Sequence, residues 1–189
     1  PFFISNQTVI PHIDSISEVI DSLNSYDSLD KSSFEALEIP VQLEKIEGLD
    51  ALLSTLNDLE IKLKTEFPSQ YSIHFKFSFI ELKLKYLTKL SDYYEAHSKT
   101  LSTKFIDLSS KISFSNLNSL KQGIEGLSNL EKQMTSLGAV VRSFNVSNEL
   151  KFSELAKKVS GYNSNVQLEF EKLKSKFVSV YNNKLTTVK

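Results

Sequence analysis

The stretch SIHFKFSFIELKLKYLTKLSDYYEAHSKTLSTKFIDLSSKI, residues 72–112, decides how this chain is read. With spacings of four and three in alternation it presents Ile73, Phe77, Ile80, Leu84, Leu87, Ser91, Tyr94, Ser98, Leu101, Phe105, Leu108 and Ile112. That is a seven-residue apolar repeat, the seam of a helix that packs lengthwise against other helices. Only Ser91 and Ser98 interrupt it with polar groups, and the stretch holds neither proline nor glycine. At the α-helical rise it would span about 60 Å, more than a compact domain of this size requires.

A second apolar stripe, Phe75, Phe79, Leu82, Tyr86 and Tyr93, runs beside the first. A face that wide belongs inside a bundle of several helices, so this stripe is expected to be core and not a docking groove. The alternation of Ile73, Phe75, Phe77 and Phe79 with His74, Lys76 and Ser78 would also suit a strand. Its phase slips at Ile80, however, where no Gly, Asn, Asp or Pro could turn the chain, and helix is the better reading.

Upstream, a helix is predicted from about Val41 to Glu66, with a seam of Ile46, Leu49, Leu53, Leu56, Glu60, Leu63 and Phe67. Phe67-Pro68-Ser69-Gln70 should break it, and so short a break makes the helices on either side antiparallel neighbours. Ser69 or Ser72 is the expected cap of the second. The second arm overhangs the first, so the part beyond Ser98 has to find its partner elsewhere. Nearer the start, Pro11 suits a first helical turn, and Ile13, Ile16, Val19, Ile20 and Leu23 follow at helical spacing. Phe2, Phe3 and Ile4 precede them as an extended apolar arm, and Asn24 to Ser33 reads as a polar connector.

Downstream, Ser113-Phe114-Ser115-Asn116 is the next predicted break, because serine and asparagine compete locally for backbone groups. A helix through Leu117, Leu120, Ile124, Leu127, Leu130, Met134, Leu137, Val141 and Phe144 should kink or locally unwind beside Gly123 and Gly126. After a break at Asn145–Asn148, a last helix carries Phe152, Leu155, Val159, Tyr162, Val166, Phe170, Leu173, Phe177 and Val180, and should fray from Thr186. The expected fold is all-α: an elongated antiparallel, coiled-coil-like bundle of four long helices plus a short N-terminal one. Residues 1–40 form the arm and short helix, and residues 41–189 the bundle, within a single domain.

Composition limits the function. The 189 residues contain no cysteine, which excludes disulfides and thiolate metal sites, and no apolar run approaches the roughly 18 residues of a membrane span. The opening Pro1 suggests a piece of something longer. A net charge of −1 conceals −9 over residues 1–70 and +8 over residues 71–189. Either the acidic third folds back on the basic remainder, or the basic part meets an acidic partner or anionic lipid. Of 22 basic residues all but Arg142 are lysine, which argues against nucleic-acid recognition, where the planar arginine fork is favoured.

Catalytic chemistry has no foothold. His12, His74 and His97 sit on different parts of the chain without ligand-spaced partners, and His97 should be a polar residue near the seam. Glu-x-x-His pairs, glycine-rich phosphate loops and nucleophile elbows are absent, so no catalytic residue, metal or cofactor is assigned.

The function expected is a non-enzymatic scaffold or adaptor subunit of a larger intracellular eukaryotic assembly, cytoplasmic with the nucleus left open. It would bind other protein subunits, self-association included, through coiled-coil-like surfaces. Phe2, Phe3, Phe105 and Ile112 are the candidate partner-binding residues. The alternative is a dimeric membrane-curvature module of the BAR-like kind, holding anionic lipid through lysines of residues 71–189, with Lys157, Lys158, Lys172 and Lys176 the candidate surface.

Overall fold

The computed structural model describes residues 10–138 and 150–188, and every regular element among them is helical. In order these are α1 (Ile10–Asn24), α2 (Lys31–Glu35), α3 (Ile39–Glu66), the single turn α4 (Pro68–Gln70), a π-helical turn Tyr71–Phe75, α5 (Lys76–Lys111), α6 (Leu117–Gly138) and α7 (Leu150–Val188). The long members are α3, α5, α6 and α7, with α1 as the short N-terminal helix, so the chain is an all-α bundle. Helices of 36 and 39 residues, α5 and α7, extend about 54 and 58 Å and make it elongated.

The α3 seam behaves as its leucines dictate. Ile46, Leu49, Leu53, Leu56 and Leu63 are all buried, and Glu60 occupies a seam position with them. Phe67 alone leaves the helical region, at φ −134° and ψ 62°, and Pro68 restarts the helix in its first turn. The expected four-residue break is therefore one residue long. Neither Ser69 nor Ser72 caps it; the Tyr71 N–H bonds the Phe67 carbonyl at 2.8 Å instead.

The π-helical turn corrects the reading of the two stripes. Phe75, Phe79, Tyr86 and Tyr93 are fully buried, as expected of core. The nominal seam begins outside it, with Ile73 and Phe77 each 72% exposed and Ile80 and Leu84 half-buried. Only from Leu87 onward, through Ser91, Tyr94, Ser98, Leu101 and Phe105, is the seam buried. A π turn accommodates one residue more than an α turn, so it rotates the residues that follow relative to those before.

Side-chain meetings give the direction of each helix. α1 runs antiparallel to α3, with His12 at Glu66 and Tyr26 at Gly48. α3 is antiparallel to α5, Glu60 meeting Lys83 and Gln42 meeting His97 and Thr100. α7 is parallel to α5, as the successive pairs Lys83–Phe152, Phe105–Phe170 and Phe114–Phe177 record. α6 is antiparallel to both, with Gly126 on Leu108 and Glu131 near Lys174. The overhang of α5 beyond Ser98 thus finds its partners in α6 and α7. One continuous core runs from Ile16 in α1 to Phe177 in α7, so the first 40 residues join the bundle wherever they are described.

The predicted break after α5 is present: Asn116 Oδ1 accepts from the Ser119 N–H at 3.1 Å and starts α6. The local unwinding that the glycines suggested is not: α6 is continuous through Gly123 and Gly126, whose missing side chains admit Ile112, Phe177 and Leu108 at close range. The predicted fraying at the end is replaced by helix to Val188, where the Thr186 and Thr187 hydroxyls donate to the carbonyls of Asn182 and Asn183. The break expected at Asn145–Asn148 lies outside the described residues.

Candidate functional site

Two polar clusters lie inside the bundle. In the first, Lys83 Nζ donates to Glu60 Oε1 and the Tyr71 hydroxyl donates to Glu60 Oε2, both at 2.6 Å. The Lys83 and Glu60 side chains are 7% and 9% exposed, and the lysine also lies over the Phe152 ring, 5.7 Å from its centroid. Burial, reinforced by the neighbouring Glu60, drives the Tyr71 phenol well above its ordinary range, so it serves as a donor only. Tyr71 is the first residue of the π-helical turn.

In the second cluster, Gln42 Nε2 donates to the Phe34 carbonyl at 3.2 Å and to Thr100 Oγ1 at 3.3 Å. Its Oε1 lies 2.8 Å from His97 Nδ1 and so accepts the imidazole proton. Burial lowers the His97 pKa to about 4, which keeps the ring neutral. With the proton on Nδ1, the Nε2 lone pair is left without a partner, as is the Ser98 hydroxyl.

A third set fastens the α1–α2 connector to α5. Tyr86 donates to Asn24 Oδ1 and Asp27 Oδ1 at 2.9 and 3.0 Å, and Tyr93 and Lys89 both donate to the Leu29 carbonyl. Phe34 stacks on Tyr93 with centroids 4.4 Å apart. Apart from His97 Nε2 and the Ser98 hydroxyl, the polar atoms named in these clusters bond one another across elements, which orients the helices. The three histidines are not brought together: His12 reaches Glu66 at 2.6 Å, His74 is exposed, and His97 is in the core. Among the described residues no three His, Asp or Glu side chains gather to hold a metal ion.

Two open grooves are mainly apolar. One of about 460 Å³ is lined by Met134, Asn163, Val166, Gln167, Leu168 and Glu171. The other, about 580 Å³, lies between the start of α3 and Leu130 and Gln133 of α6. The second groove is also lined by Glu38 and Lys104.

The residues singled out from sequence scatter. Phe2 and Phe3 lie outside the described residues. Phe105 is buried against Phe170, and Ile112 is half-buried against Gly123, so both pack between the bundle's own helices. Lys157, Lys158, Lys172 and Lys176 are exposed. At about 100° per residue they share one sector of α7, opposite its buried Val159, Val166, Phe170 and Phe177. Lys176 leans over the Phe114 ring at 4.5 Å. The acidic third answers α5 through Glu60–Lys83 and Asp27–Lys85, while Lys174 finds its carboxylate on α6.

The surface that sequence reasoning missed is the exposed pair Ile73 and Phe77. Their apolar neighbours at Phe75 and Phe79 supplied the signal, since two stripes cannot both face inward on a helix with one buried side. Comparison of the chain with protein-family models, curated proteins and solved structures finds no match in any of the three.

Proposed function

We propose that this protein is a non-enzymatic scaffold or adaptor subunit of a larger intracellular eukaryotic assembly, binding other proteins through an exposed helix face. The observation that carries this reading is Ile73 and Phe77, each 72% exposed on a helix whose other side is anchored in the core. Large apolar side chains held rigidly in water at adjacent positions mark a site for another protein surface. The internal polar clusters support the same reading, because they spend ionisable groups on holding helices in register.

A photo-crosslinking amino acid at Phe77, introduced in cells of the source organism, tests it. Discrete protein adducts at Phe77, absent from the same probe at exposed Lys121, are expected. Adducts no different from those at Lys121 would overturn the reading.

The second reading, an anionic-lipid surface, is supported by the common outward face of Lys157, Lys158, Lys172 and Lys176. Glu154 and Glu169 fall in that sector too, and a gap of nearly four helical turns separates the two lysine pairs, which places this reading second. No helix among the described residues is long and apolar enough to cross a membrane.

A further inference from the structure

We infer that the start of α5 pairs in parallel and in register with the same segment of a second copy of this chain. The inference rests on the scaffold reading and names the partner of its exposed face.

Ile73, Phe77, Ile80 and Leu84 are spaced four, three and four, so they occupy successive d, a, d and a positions of a heptad. The first two are 72% exposed and the other two half-buried. Further along, the same stripe is taken up by the bundle itself. α7 lies parallel to α5 with Phe152 beside Lys83, so its described residues lie past the level of Phe77. Among the described residues the stripe is therefore a packing seam that α7 leaves open at its start.

Charge selects the occupant. In this heptad Lys76 takes the g position and Glu81 the e position, both are exposed, and neither has an ion pair among the described residues. In a parallel, in-register pair each g residue faces the e residue five positions on in the partner helix. Lys76 of each copy then meets Glu81 of the other, twice by symmetry. An antiparallel pair would instead bring g residues to g residues and set lysines against one another. Ile at d with Leu at a would by itself favour more than two strands. Here α3 packs on the far side of α5, Glu60 meeting Lys83, so the seam is less open to several further strands than a free helix would be.

The chain contains no cysteine, so a single introduced thiol reports on geometry cleanly. Equivalent a positions of a parallel pair lie close to the axis, within disulfide reach. Mild oxidation of the Phe77→Cys protein should give a covalent dimer, whereas Ile106→Cys, equally outward at 69% exposed but off the seam, should not. Sedimentation of the unmodified chain from about 10 μM to about 1 mM should move from the monomer mass toward twice that, as an interface of two heptads associates weakly. Lys76→Glu or Glu81→Lys alone should weaken dimerisation roughly tenfold. The double exchange should restore it.

A chain that stays monomeric over that range, or Phe77→Cys cross-linking no faster than Ile106→Cys, overturns self-pairing. Failure of the double exchange to rescue overturns the parallel register. Should self-pairing fall while the Phe77 photo-crosslinker still captures a different protein in cells, the scaffold reading survives it; should both fail, neither stands.

Discussion

Lys83 of α5 and Glu60 of α3 form an ion pair at 2.6 Å with both side chains almost wholly out of water. Tyr71 completes the site by donating to the other carboxylate oxygen. Three elements meet here: α3, the π-helical turn and α5. A slip of either helix along the other would leave a buried charge unanswered, so the pair fixes the register of the α3–α5 hairpin.

Removing one partner should cost more than the pair contributes. Lys83→Met leaves a buried carboxylate with only Tyr71 to bond it and should lower stability by roughly 3–5 kcal/mol. The double variant Lys83→Met with Glu60→Leu should recover most of that, because a packed apolar pair needs no charge compensation. Denaturant unfolding of the two variants decides the matter. A double variant no more stable than the single one would mean that the pair itself, and not the orphaned charge, carries the effect.

His97 and Asp50 make stability depend on pH in opposite senses. Burial lowers the His97 pKa from 6.5 to about 4, so between those values the unfolded chain binds the proton and the folded chain does not. Its contribution is therefore complete above pH 6.5 and lost as pH falls toward 4. Burial raises Asp50 from 3.8 to about 6, so here the folded chain holds the proton, and that contribution is complete at low pH and lost as pH rises through 6. Between pH 4 and 6.5 the two oppose one another. Relative to the natural chain, Asp50→Asn should steepen the loss of stability on acidification, and His97→Gln should flatten or reverse it. Identical pH profiles for both variants and the natural chain would refute the assignment.

What could be read in advance followed from local rules. The leucine seam of α3, the break at Ser113–Asn116 and the second stripe of Phe75, Phe79, Tyr86 and Tyr93 each depend on residues near in sequence. The exposure of Ile73 and Phe77 does not. Both stripes are apolar enough to be core, and which one faces water is settled by the π turn and by the side of α5 that packs on α3. Lys83 was equally opaque, since a lysine among surface lysines gives no sign of burial; Glu60, an acid at a seam position, was the visible half of the pair. For Phe105 and Ile112 the need for a partner was legible, but not that the chain supplies it from α6 and α7.

Gly123 and Gly161 separate two meanings of glycine in a helix. A Cβ on Gly123 would lie 3.0 Å from Ile112 Cγ1 and from Phe177 Cε2, whereas one on Gly161 would meet nothing within 4 Å. Gly161→Ala should stabilise the protein by roughly 0.5–1 kcal/mol through helix propensity. Gly123→Ala gains the same propensity but must displace two core side chains, and overpacking of that kind costs about 1–3 kcal/mol. Its net effect should be destabilising. Melting temperatures that move in the same direction for both would show that α6 has room to give.

The lysines of α7 decide between the two functional readings. An anionic membrane attracts each nearby lysine by about 1 kcal/mol, and the attraction fades over a Debye length of roughly 10 Å at 0.1 M salt. Four such residues on one face would give binding to vesicles rich in acidic lipid that is clear at low salt and mostly gone at a few hundred millimolar. Glu154 and Glu169 in the same sector subtract from that attraction, and Lys176 is partly drawn inward over Phe114. The expected result is no co-sedimentation with anionic vesicles at physiological salt. The quadruple change of Lys157, Lys158, Lys172 and Lys176 to glutamate should accordingly leave protein adducts at Phe77 unaltered. Salt-sensitive co-sedimentation of the natural chain, abolished by that quadruple change, would reverse the order of the two readings and make α7, not the start of α5, the working face of the molecule.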